Sequence, residues 1–152
     1  MSVTDTELVP SLGTTEDEIY LQIQRFYAAQ SQLLDFGRFE EWAATFTEDC
    51  SFTANGFPQP VRTRTALLAG TLQNHKVDEP GLRIRHWFGM TTVEPRADGT
   101  VYALSYVLVI RNHRNEPPFI YRSTRCEDVL VRNGNSWLVR DRIIRRDELT
   151  DE

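Results

Sequence analysis

The apolar residues of this chain change their spacing once. Before residue 82 they recur every three to four positions, and from residue 82 onward they alternate. The first pattern gathers apolar side chains into one stripe of a helix, and the second puts every other side chain on one face of a strand. A chain that runs through helices and then through strands folds as α+β, with the helices covering one face of a sheet.

The helical part can be read in detail. Thr15 followed by Glu18 is a capping box that starts a helix near Glu16. Ile19, Ile23, Phe26, Tyr27, Leu33 and Leu34 form its inward stripe. Gln30 lies within that stripe, where a buried amide needs hydrogen-bond partners from the protein or from a ligand. Gly37, in LDFG, is the left-handed stop. A second, short helix over RFEEWAATF turns Phe39, Trp42, Ala43 and Phe46 inward. CSFTA is a short strand, NGFPQP is a loop, and TRTALLAGTLQNH is a third helix anchored by Leu67, Leu68 and Leu72.

Four long strands follow, over 82–94, 100–112, 119–132 and 136–146. RADGT and RNGNS supply hairpin turns, and RNEPP separates the middle pair. The expected architecture is a cone. A strongly curved antiparallel or mixed sheet is covered by three N-terminal helices, and the end that side chains do not fill becomes an internal pocket. Residues 16–147 make this single domain, between a flexible acidic tail over 1–15 and a C-terminal tail over 148–152. The outer sheet face carries Trp87, Arg83 and Arg85, and strands of this length predict a homodimer across it.

Charge and motif content narrow the function classes. Residues 1–60 hold ten acids and two bases, whereas the rest holds twelve acids and fifteen bases. In RDRIIRRDE and RCEDVLVR the arginines alternate with acids, which suits a solvated ion-pair lattice better than a nucleic-acid footprint. No apolar run approaches the ~20 residues of a membrane span, and no signal peptide is visible. Cys50 and Cys126 lack metal or disulfide spacing, which fits a reducing cytoplasm. No histidine pair has metal-ligand spacing, and neither a glycine-rich phosphate loop nor a GxSxG elbow occurs, so neither a metal nor a cofactor is expected.

One residue breaks the alternation. In RIRHWFGMTTVE, Ile84, His86, Phe88 and Met90 share a face, and the imidazole stands in the middle of it. It reads either as a core histidine held by a neighbouring polar group or as a general acid and base exchanging protons with a bound molecule. Asp35, at the end of the first helix, is the candidate partner, although an Asp before a Gly also serves as a helix-end residue. His75 ends a helix and His113 sits in a turn.

LLDFGRFEEWAATFTEDCSF, RIRHWFGMTTVE and YRSTRCEDVLVRNGNSWLVRDRIIRRD together resemble the nuclear transport factor 2-like superfamily, and within it the SnoaL-like branch, from Tyr20 to Asp147. That scaffold hosts cyclases, dehydratases, isomerases, hydrolases and non-catalytic subunits. The similarity to scytalone dehydratase and related lyases implies a His–Asp pair at His86 and Asp35. The dehydratase's tyrosines would fall near Leu34 and Ala54, its second histidine near Arg111, and its pocket Ser and Asn near Thr124 and Cys126. Arg111 would then suit an enolate, phenolate or carboxylate. The β subunits of aromatic-ring-hydroxylating dioxygenases are similar in the LLD…EEW…FTEDC run and in the arginine-rich last hairpin; they imply a structural role beside an iron–sulfur α partner. The expected site therefore has His86 and Asp35 as its acid–base pair, with Gln30, Arg111, Trp42, Phe57, Val109, Thr124 and Cys126 around the substrate. The expected function is cofactor-independent cyclisation, dehydration or isomerisation of a polyketide-like or aromatic small molecule. The alternatives are the dioxygenase-type subunit and a small-molecule binding module.

Overall fold

The computed structural model describes residues 14–75 and 79–151. Most of the expected acidic tail, residues 1–13, lies outside the described residues.

Helix α1 spans Glu16–Asp35. Thr15 caps it: its Oγ1 accepts from the Glu18 backbone N–H and its hydroxyl donates to the Glu18 carboxylate. At the other end Gly37 takes φ 75°, and the Gly37 and Arg38 N–H groups bond back to the Leu34 and Leu33 carbonyls. That stop leaves Asp35 as the last helical residue. Ile19, Ile23 and Tyr27 bury the α1 stripe against Phe46, Val101, Ala103, Leu130, Trp137 and Val139 of the sheet.

Helix α2 is only Phe39–Ala43, shorter than the sequence predicts. Phe46 is fully buried, but as the first residue of strand β1, Phe46–Ala54, which is longer than the expected CSFTA. A two-residue strand β2, Val61–Arg62, pairs with β1 and had no sequence signal of its own. Helix α3, Arg64–Asn74, is capped by Thr63 and anchored by Leu67. Leu72 is not an anchor; it lies more than half exposed, because the helix touches its neighbours along a narrow strip.

The long strands are β3 Leu82–Pro95, β4 Val101–His113, β5 Phe119–Asn133 and β6 Ser136–Arg146. The sheet order is β2-β1-β6-β5-β4-β3. Its pairs are antiparallel except β1 with β6, which run parallel, so the sheet is mixed and open. A 3-10 turn over Asp147–Leu149 follows β6, and Thr150 is tied to Asn55 and to the Arg146 carbonyl.

Irregularities in register fall between Gly89 and Thr92, Val109 and Ile110, and Val129 and Leu130. Each extra residue bends its strand and adds twist, and together they curl the sheet around α1 into a cone. They also change which residues face inward. On β3 the inward series is Leu82, Ile84, His86 and Phe88; after the bulge it passes to Thr91 and Val93. Met90 is therefore not on the face of His86. It sits within the bulge at φ 52° and is 78% exposed.

A candidate active site

The inner face of the cone encloses a cavity of about 310 Å³. Leu34, Trp42, Phe52, Phe88, Val107 and Ile144 give it apolar walls, while Gln30, Ser31, His86, Thr124, Arg122 and Arg142 bring polar groups to it. This is at the small end of the range for ligand sites, with the usual composition of many apolar and few polar contacts.

Asp35 and His86 meet at its edge. The end of α1 and the middle of β3 pack together, and the Asp35 carboxylate receives both the His86 ring and the His86 backbone. Nδ1 lies 2.6 Å from Oδ1, and the His86 backbone N–H donates to Oδ2 at 3.1 Å. The two side chains are 17% and 7% exposed. A carboxylate accepts at both positions, so Nδ1 carries a proton and Nε2 is left with its lone pair. Asp35 stands at a helix C-terminus, the end of the dipole that disfavours a negative charge. Its partners on β3 offset that local cost.

A second histidine lies against the first. His75, just past the end of α3, stacks on His86 with centroids 5.8 Å apart and an interplanar angle of 24°, and it meets the edge of Phe39 on its other side. Its Nε2 is buried and has no hydrogen-bond partner among the described residues. Burial pushes the His75 pKa down, His86 adds to the shift, and Asp35 opposes it. His75 is thus a neutral ring held against the acid–base pair.

Arg142, from β6, is the buried charge of the cavity. Its Nε and Nη2 donate to the two Asp128 oxygens at 2.8 Å, and Nη2 also donates to Gln30 Oε1 at 2.7 Å. Gln30 in turn donates to Thr45 Oγ1 at 2.7 Å, so the amide predicted to need partners has one at each end. The Tyr27 hydroxyl donates to Asp128 at 2.6 Å, and the Cys126 thiol reaches the same carboxylate. Burial works against the Arg142 charge, but the Asp128 carboxylate outweighs it and pushes the pKa up, so the guanidinium stays charged.

The model of the SnoaL-like domain matches residues 15–143. The chain belongs to the SnoaL-like family. Among solved structures, this SnoaL-like chain is 34% identical to ActVI-ORFA from Streptomyces coelicolor, with a TM-score of 0.80 over 86% of this chain and 98% of that one. Aln2 from another Streptomyces species is 31% identical, with a TM-score of 0.80 over 90% of this chain and 96% of that one. A protein from Catenulispora acidiphila, in complex with S-DNPA, is 30% identical, with a TM-score of 0.76 over 87% and 96%. No curated protein matches the chain.

Within the SnoaL-like cone, the sequence-predicted Gln30, Trp42, Phe57, His86, Val109 and Thr124 all line the cavity, and Asp35 touches it through His86. Leu34 and Ala54, where the dehydratase resemblance puts tyrosines, line it too. Two predicted residues do not. The Cys126 thiol is turned to Asp128 behind the wall, where burial and that carboxylate push its pKa well up and leave it protonated. Arg111 lies past the Val109 bulge with its guanidinium 3.4 Å over the Tyr121 ring, outside the lining residues. Arg142, Ser31, Phe88 and His75 were missed as site residues. Strict alternation from Val139 would have turned Arg142 outward, but the irregularity beside Asp141 reverses the phase of β6. Among the described residues no cluster of His, Cys, Asp and Glu could hold a metal ion.

Proposed function

We propose that this chain is a small acid–base enzyme that cyclises, dehydrates or isomerises an aromatic or polyketide-like molecule inside the cone. The observation that supports it is the His86–Asp35 contact of 2.6 Å at the wall of an apolar cavity. With Nδ1–H held by Asp35, Nε2 takes a proton from a carbon next to a carbonyl or from a hydroxyl. The imidazolium that forms is stabilised by the same carboxylate. It returns the proton to the leaving hydroxyl, to the attacked oxygen or to the far end of a shifted double bond. One residue thus acts as base and then as acid, a device that contributes on the order of 10²–10⁴-fold. The apolar walls exclude water, so this exchange does not compete with bulk solvent.

The Catenulispora acidiphila relative, whose structure holds S-DNPA, supports a small-molecule occupant for the cone. The reading places the protein in the cytoplasm, where the free and buried Cys50 and Cys126 stay reduced. It also has the protein acting as a homodimer, through the outer face on which Trp87 and Tyr106 are 64% and 57% exposed.

The test is product formation by the purified protein on a panel of bicyclic and tricyclic aromatic hydroxyketones, followed by loss of water or ring closure in mass spectra. Conversion that falls at least a hundredfold in His86→Ala and in Asp35→Asn supports the proposal. Conversion retained within a few-fold in both variants removes it. Binding without conversion would make the chain a binding module, and activity only beside a larger oxygenase chain would make it a subunit.

A further inference from the structure

Arg142 has more donors than its partners use. Asp128 and Gln30 engage Nε and Nη2, and Nη1 makes no hydrogen bond among the described residues. The residue lines the cavity although it is only 4% exposed, and the Phe88 and Phe46 rings flank its guanidinium at 5.4 and 5.1 Å. Such a cation cannot swing away. It is clamped on one edge and sandwiched between aromatic faces, so the free edge keeps a fixed position at the cavity.

A second unused group is at hand. Ser31 follows Gln30 in α1 and also lines the cavity; its Oγ is buried without a hydrogen-bond partner. Buried hydroxyls are nearly always paired, and one left open at a cavity wall points to a group the ligand brings. The Asp128 charge, meanwhile, is divided among Arg142, Tyr27 and Cys126, which leaves the outer edge of the guanidinium under-neutralised. Along β3, Phe88 separates this end of the cavity from His86 by two residues, ~7 Å of strand.

We propose that Arg142 and Ser31 form an anion-binding end of the cavity, which takes a resonance-stabilised oxyanion carried by a fused-ring aromatic ligand. Enolate, phenolate and carboxylate oxygens share that chemistry. The role expected of Arg111 thereby passes to Arg142. The inference rests on the reading that the cone takes an aromatic small molecule, and it adds the charge that molecule carries and the end of the cavity where the charge sits. The charged oxygen lies about one fused ring away from the imidazole that moves the proton.

The test is binding alone, so it does not depend on turnover. The probes are 2-naphthoate and 2-naphthamide, which share a ring and differ in charge, titrated into the full chain by calorimetry. The wild type is expected to bind naphthoate at least tenfold more tightly than the amide. Ser31→Ala should lower naphthoate affinity several-fold and leave the amide nearly unchanged. Arg142→Met paired with Asp128→Asn, which removes both buried charges together, should abolish the preference. A wild type that binds both probes equally, or neither, overturns the proposal, as does a preference that survives both changes. Loss of turnover in His86→Ala with no preference for the anion would refute this inference and leave the acid–base function standing. The anion preference without any turnover would do the reverse.

Discussion

The Asp35 carboxylate binds residue 86 twice, through the Nδ1 of its ring at 2.6 Å and through its backbone N–H at 3.1 Å. A helix end and a strand are thereby joined at the one point where the imidazole must be oriented. The ring cannot rotate without breaking a charge-assisted hydrogen bond, and the strand cannot slide without losing the other contact. Structural and chemical roles coincide in one carboxylate.

This double contact predicts a stability cost that activity assays alone would not separate. Asp35→Ala leaves a buried ring nitrogen and a buried backbone N–H without their acceptor, which costs about 1–3 kcal/mol. Asp35→Asn keeps an acceptor for the backbone N–H and should lose less. Urea denaturation of both variants checks the order. The reverse order would mean that Asp35 is not the acceptor at both positions.

His75 gives a pH signature. Its pKa is lowered in the folded protein by burial and by His86, so below the ordinary value of 6.5 the unfolded chain binds more protons than the folded one. Folding stability therefore falls as pH drops through that region and is regained as pH rises toward neutrality. His75→Phe keeps a ring beside Phe39 and His86 but cannot protonate. Its urea midpoint should change less between pH 7 and pH 5 than that of the wild type. An identical slope would show that the His75 shift does not contribute.

The buried pair of Arg142 and Asp128, whose side chains are 5% and 0% exposed, predicts strong coupling. Arg142→Met alone strands a buried carboxylate and should cost on the order of 3–5 kcal/mol. Adding Asp128→Asn removes the stranded charge and should recover a large part of that loss. A double-mutant cycle by chemical denaturation measures the recovery. Additive losses would contradict the pairing.

The outer face makes a separate prediction. Trp87, Tyr106 and Met90 expose apolar surface on the convex side of the sheet. Light scattering of the wild type should give twice the mass of one chain, and Trp87→Arg should shift it toward one. A monomeric wild type would contradict the proposed dimer.

How much of this could be read in the sequence follows from how local each signal is. The α1 cap at Thr15, the stop at Gly37 and the four long strands were legible, because capping, left-handed turns and alternation act within a few residues. Asp35 and His86 were paired by resemblance, and the packing of α1 on β3 then placed them in contact. Positions beyond a bulge were not legible. Met90 was assigned inward and points out, while Arg142 went unassigned and lies inside, because one extra residue reverses a period of two. His75 was dismissed as a helix end; only the tertiary approach of α3 to β3 sets it on His86. The β2 strand is two residues long and carries no period at all.

The central claim is that His86 moves a proton on a molecule held in the cone. The most direct measurement is the exchange of acidic carbon-bound hydrogens for deuterium in the aromatic hydroxyketone panel, followed by NMR in heavy water. The account predicts that the wild type accelerates exchange at a carbon next to a carbonyl in at least one compound. It further predicts that His86→Gln loses that acceleration by on the order of 10²–10⁴-fold, with the fold intact by circular dichroism. Exchange at the same rate in the wild type and in His86→Gln would contradict it.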